Sequence, residues 1–149
     1  MLEHMIGKHS DKVRNTIERG AMRKFAEAIN DAQPIFVDEK AGQASRYGKN
    51  VAPPTFPIVL DYGEIPEFAL ENKGLIHGEQ IYHYERPLFV GEDIHCWAVV
   101  KDYKEKAGKS GTMGIVTLES NGEDSNGKRV FRAEQVIIIT EAVRKGMEA

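Results

Sequence analysis

At 149 residues with 41% hydrophobic side chains, the chain has apolar surface for one real core and too little length for two independent domains. A formal net charge of −3, with both signs dispersed and no basic arm or stripe, argues against a nucleic-acid partner. Cys96 is the only cysteine, which excludes an internal disulfide and a cysteine-based metal cage and fits a reducing cytoplasm; no apolar run approaches the roughly 20 residues that cross a bilayer.

Residues 1–11 lack the hydrophobic stretch of a secretory signal and read as a loose tail before a single domain over 12–149. Lys12–Thr16 alternates as a short strand does. Met22, Phe25, Ala26 and Ile29 then recur at helical spacing, and Asn30, Asp31 and Pro34 end that helix. A second short helix is expected over Asp38–Ala44 with Asp38 as its N-cap. Gly48, Asn50, Pro53, Pro54 and Pro57 impose a stiff loop, followed by an expected helix over Pro57–Asn72, broken near Gly63 or Pro66 and closed by Gly74. Beyond Gly74 the period becomes two, predicting strands near Ile76–Leu88, Asp93–Lys106, Thr112–Glu119 and Arg129–Thr140 joined by Gly- and Pro-bearing turns. The apolar run Val136–Ile139 calls for cover on both faces, one from the chain's own helix and one from another element or subunit. Helices before strands, with the sheet around one helix, is an α+β architecture.

The strings "IERGAMRKFAEAIND" (Ile17–Asp31), "QPIFVDEKA" (Gln33–Ala41), "VAPPTFP" (Val51–Pro57), "HGEQIYHYERPLFVGEDI" (His77–Ile94) and "FRAEQVIIITE" (Phe131–Glu141), in this order, resemble the MaoC-like dehydratases of the hot-dog fold, specifically the N-terminal half-domain or FAS1-like dehydratase type. The resemblance implies a curved antiparallel sheet around a central helix, assembled into a dimer of hot dogs or a fused double hot dog, and reversible hydration of a trans-2-enoyl thioester of coenzyme A or acyl carrier protein to the (R)-3-hydroxyacyl form; the single cysteine and the absent signal place such a protein in the cytoplasm. Such chemistry needs an acid–base pair on one water and a hydrogen-bond donor for the thioester oxygen, and no cofactor or metal. Catalytic members carry the pair in a D-x-N-P-x-H loop. Here Asp31 matches the Asp and Pro34 the Pro, while Gln33 replaces the Asn and Phe36 replaces the His. A phenyl ring transfers no proton, so Asp31 is left as half of a dyad.

The oxyanion region is also altered. "VAPPTFP" stands where active relatives open a helix with His-Gly, leaving the N–H groups of Thr55 or Phe56 as donors. Both departures imply a subunit that shapes the substrate pocket, through Pro54, Thr55, Phe56, Pro57, His77 and Gly78. Its partner would be a MaoC-like chain with an intact D-x-N-P-x-H motif; homo-oligomers stay open. Two rivals remain, a non-catalytic acyl-CoA-binding homo-oligomer and a hot-dog thioesterase using Asp31 or Glu64. Other features have plainer readings. His77 and His83 share a face by parity without a third metal ligand, Cys96 and Trp97 are packing residues, and Lys104, Lys106 and Lys109 are either solubilising charges or contacts for coenzyme A phosphates.

Overall fold

The computed structural model describes residues 1–71 and 73–149. Among them, β1 (Val13–Thr16), β2 (Leu75–Tyr84), β3 (Asp93–Gly108), β4 (Gly111–Glu123) and β5 (Arg129–Ile139) form one antiparallel sheet ordered β1-β3-β4-β5-β2. The alternation that predicted these strands places Ile94, Cys96 and Val100 of β3, Val116 of β4 and Phe131, Ile137 and Ile139 of β5 on a buried inner face. The outer face carries Lys101, Glu119, Arg132 and Glu134 in a mesh of ion pairs. Val136 and Ile138, the other half of the apolar run, are only half-buried there. Gly122 lies opposite Phe131, and a Cβ on it would collide with that ring, so the glycine makes room for the aromatic.

The helix α1 (Arg19–Ala28) buries Met22 and Ala26. It ends in a Schellman motif: Asn30 adopts φ 56°, its N–H reaches Glu27 O at 3.0 Å, and the Asp31 N–H reaches Ala26 O at 2.8 Å. Two short helices follow, α2 (Pro34–Val37), with proline in its first turn, and α3 (Glu39–Ala44), whose N-cap Asp38 accepts the Lys40 N–H at 3.3 Å. Asn50, 1% exposed, fastens this overhang. Its Nδ2 donates to the carbonyls of Ile35 and Asp38, each at 2.8 Å, and its Oδ1 accepts from Arg19 Nη1 at 2.7 Å. A Cβ on Gly42 would come within 2.6 Å of the Asn50 backbone nitrogen, so no larger residue fits beside the hub.

Two expectations are corrected. The first residues are not a loose tail: Leu2 and Met5 are buried, the Gly7 N–H reaches Val100 O at 2.8 Å, and the Ser10 N–H reaches Ala98 O at 2.9 Å, so the segment continues the β1 edge. The helix expected over Pro57–Asn72 is a 3-10 turn at Phe56–Val59 followed by irregular chain; Asn72 lies outside the described residues. Positive φ at Gly63 and Glu67, together with Pro66, is incompatible with a continuous helix. Side chains satisfy the backbone instead. Asn15 donates to Asp61 O at 2.8 Å and accepts the Asp61 N–H at 2.9 Å, while the buried Ser10 hydroxyl donates to Tyr62 O at 2.5 Å. The sheet's inner face is thus crossed by extended chain, not by a long helix. At the other end, α4 (Glu141–Glu148) packs Val143 and Met147 onto the core, a helix foreshadowed by the four-residue spacing of those two side chains.

Replacing Asn50 with leucine strands two carbonyls and one guanidinium, and should cost about 2–4 kcal/mol of stability; urea denaturation measures it, and Asn50→Asp, which keeps only the acceptor, should fall between. Burial pushes the Cys96 thiol up to about 12. A thiol reagent at pH 8 should therefore label native protein far more slowly than urea-unfolded protein. Because the folded state holds this proton more tightly, the stability Cys96 contributes is present below the ordinary thiol range and is lost as pH rises from there towards 12.

Candidate functional site

Residues Asp31–Gln33 link the C-terminus of α1 to the first turn of α2, which carries Phe36. The Schellman turn aims the chain away from α1, and Asp31, half-exposed, accepts a hydrogen bond from Gln33 Nε2 at 3.0 Å. Phe36, 8% exposed, packs with Ala26 and Val51, so the ring is held as part of an apolar wall. It borders a cavity of about 410 Å³ whose other walls include Val51, Ala52, Pro54, Tyr84 and Leu88, with Arg86 as its charged group. Arg86 is already matched to Glu92 at 2.9 Å and to Asp124 at 3.9 Å, which leaves the cavity essentially apolar. Asp31 does not line it.

The Val51–Pro57 loop is as stiff as expected, being tied to the β2–β3 connection by the Ala52 N–H to Leu88 O at 2.9 Å and by a bridge between Val51 and Phe89. Its residues diverge in role. The Pro54 carbonyl accepts the Tyr84 hydroxyl at 2.7 Å, and burial raises that hydroxyl's pKa, keeping it a donor. Phe56 is 2% exposed and stacks edge-on against Phe25 at 5.5 Å between centroids, so it is a core residue and not a groove wall. Its N–H is also spent, on Pro53 O at 2.9 Å, which removes it as an oxyanion donor. Thr55 is exposed, and among the described residues its N–H makes no hydrogen bond.

Because extended chain replaces the expected helix, two openings remain over the inner face. One, about 750 Å³, lies between residues 63–69 and the sheet, with Ala98 and Leu118 as its floor; Glu64 is on its wall. The other, about 100 Å³, is bounded by Pro57, Ile58 and Tyr62 above and by Gln80, Tyr82, Ser120, Ala133 and Gln135 below. Their floors are contiguous: Ala98 pairs with Ser120 across β3 and β4, and Leu118 pairs with Gln135, which pairs with Gln80. Sequence reading overlooked Gln80, Tyr82 and Tyr84, although their period-two spacing in "EQIYHYE" places them on one face.

The two histidines do not share a face. A β-bulge at Gly78, between His77 and Glu79, shifts the register, so that His77 pairs with Ile137 on the inner side while His83 pairs with Arg132 on the outer side. His77 is exposed and accepts from Gln135 Nε2 at 3.3 Å through Nδ1, beside the smaller opening. Gly78 supplies the bulge and lines neither opening. Lys104 pairs with Asp102 at 3.4 Å and, like Lys106, sits near the exposed tip of the β3–β4 hairpin, where Lys109 is in the turn. Among the described residues, no three His, Cys, Asp or Glu side chains are grouped to hold a metal ion, and no helix is long and apolar enough to cross a membrane.

Known proteins resemble this chain in sequence and in fold. Residues 4–133 match the family described as "FAS1-like, dehydratase domain region". A protein of Thermobifida fusca (strain YX) named UPF0336 protein is 33% identical over 129 residues, 83% of this chain and 82% of its own length. In fold, the chain is similar to the C-terminally truncated HadBC (3R-hydroxyacyl-ACP dehydratase) complex from Mycobacterium tuberculosis, with TM-score 0.72, 18% identity, and coverage of 90% of this chain and 96% of that one. It is also similar to the MaoC-like dehydratase from Rhodospirillum rubrum, with TM-score 0.67, 23% identity, and coverage of 91% and 92%. With residues 4–133 matched by the family model and one antiparallel sheet ordered β1-β3-β4-β5-β2 in a hot-dog fold, the chain belongs to the FAS1-like dehydratase domain region family.

Proposed function

We propose that this chain is the substrate-pocket half of an (R)-specific enoyl-thioester hydratase/3-hydroxyacyl-thioester dehydratase, and that a second MaoC-like subunit with an intact D-x-N-P-x-H loop supplies the acid and base. The observation that carries this reading is Phe36, which the resemblance aligns with the dyad histidine: it is a buried ring packed into a wall, while Asp31 is bonded to Gln33. A lone carboxylate cannot both activate water and manage the α-proton, a loss worth roughly 10²–10⁴-fold in rate. What the chain offers is space. The floor of Ala98, Leu118, Ser120 and Ala133 is of a size and polarity to carry an acyl tail, with the thioester of coenzyme A or acyl carrier protein directed to the partner.

An assembly also accounts for the sheet's edges. The β1 edge is short and continued by the N-terminal segment, whereas β2 runs ten residues with β5 as its one strand partner among the described residues. Ile76 on β2 is 51% exposed, and Ile58 and Val59, in the 3-10 turn, are 48% and 57% exposed. A subunit pairing along this edge would cover both the unpaired backbone and these side chains.

Light scattering at micromolar concentration should give a mass well above 16.7 kDa. In a hydration assay on a short enoyl-CoA, the purified chain should turn over at least about 100-fold more slowly than its complex with the partner. Within that complex, Asp31→Asn should leave kcat nearly unchanged, while Ala98→Phe, which fills the groove floor, should raise KM. Fast turnover by the chain alone, abolished by Asp31→Asn, would overturn the proposal and make Asp31 catalytic.

A further inference from the structure

We propose that Gln80 is a specificity residue whose carboxamide oxygen accepts a hydrogen bond from a pantetheine amide N–H of a thioester lying along the inner face, with Gln135 and His77 as its polar neighbours. The assignment rests on the function proposed above and adds the chemical group that is read. Gln80 Oε1 is buried and has no hydrogen-bond partner among the described residues. Such an orphan costs about 1–3 kcal/mol, a cost that a donor brought by a bound ligand would remove.

Its surroundings select the donor. Gln80 lines the opening of about 100 Å³, and its cross-strand neighbour Gln135 is already committed to His77 at 3.3 Å, which fixes the neighbouring amide and leaves Gln80 to the ligand. Pro57 and Ile58 form an apolar roof, and Tyr62 spends its hydroxyl on Pro57 O at 2.5 Å, so it does not satisfy Gln80. Among the described residues, no cationic side chain lines the opening, which disfavours a phosphate or carboxylate and suits a neutral N–H. A secondary amide on a slender chain fits: the terminal carboxamide torsion of Gln80 is soft, so a donor in the opening can draw the oxygen toward it without moving the strand. The adjoining floor of Ser120, Ala133 and Leu118 then receives the apolar remainder.

The test uses two S-hexanoyl probes, one on pantetheine and one on an analogue whose amide nearest sulfur is an ester, lacking the N–H. Titrated by calorimetry, the full chain in its native assembly should bind the amide about tenfold more tightly than the ester. Gln80→Met, which keeps the side chain's length, should bind the two equally, and Gln80→Glu, which keeps an acceptor, should retain the preference; thermal melting verifies that both variants fold. A tenfold preference that persists in folded Gln80→Met, or equal binding by the unaltered protein, overturns the assignment while leaving the pocket reading intact. Failure of the native assembly to bind either probe or hexanoyl-CoA overturns both.

Discussion

The side chain of Asn15 exchanges two hydrogen bonds with the backbone of Asp61, donating at 2.8 Å and accepting at 2.9 Å, as a neighbouring strand would. Much of the molecule follows from that pair. It anchors a segment that cannot be helical, and with Ser10 it fixes the path by which the chain crosses the inner face. A helix laid on the same surface would satisfy its own backbone and fill the concavity with side chains. An extended segment borrows its partners from β1 and the N-terminal residues, and it covers only part of the sheet. The openings over Ala98, Leu118 and Ser120 are the direct geometric result.

A second polar hub holds the opposite side. Asn50 joins α1, α2 and α3 through Arg19 and the carbonyls of Ile35 and Asp38, so that the overhang bearing Phe36 is rigid although its helices are short. Helices of four and six residues gain little from their own hydrogen bonds. Their stability comes from this buried amide and from the packing of Phe36 with Ala26 and Val51. This overhang presents the Phe36 ring to an apolar cavity walled by Val51, Ala52, Pro54, Tyr84 and Leu88.

The strands were legible in the sequence because one face of each is buried, so period two survives in Ile94-Cys96-Ala98-Val100 and in Phe131-Ala133-Gln135-Ile137-Ile139. The Asp38 cap and the stop after α1 were legible as well, since both are local chemistry. The central segment was misread because Ile58, Val59, Leu60 and Tyr62 look like a helical stripe, whereas the hydrogen bonds that decide its conformation come from Ser10 and Asn15, roughly fifty positions away. The face of His77 was hidden for a similar reason: one extra residue at Gly78 reverses parity, and nothing but the cross-strand partner reveals it. Of the candidate pocket residues, Pro54 and Pro57 do line openings, while Phe56 does not, because a proline-rich loop fixes a path without declaring which side faces the core.

The order in which the chain is synthesised gives the β2 edge another meaning. Leu75 pairs with Ile139 and Tyr84 with Phe131, so the strand partner of β2 lies near the far end of the chain. During translation β2 emerges with β3 and β4 still to follow, and it must wait, unpaired, for the last strand to leave the ribosome. A nascent chain in that interval exposes a ten-residue strand with both edges open, carrying Ile76 and Ile81. Glu79 and His83 interrupt its apolar character and Gly78 weakens it as a strand, features that oppose association between neighbouring nascent chains until β5 arrives.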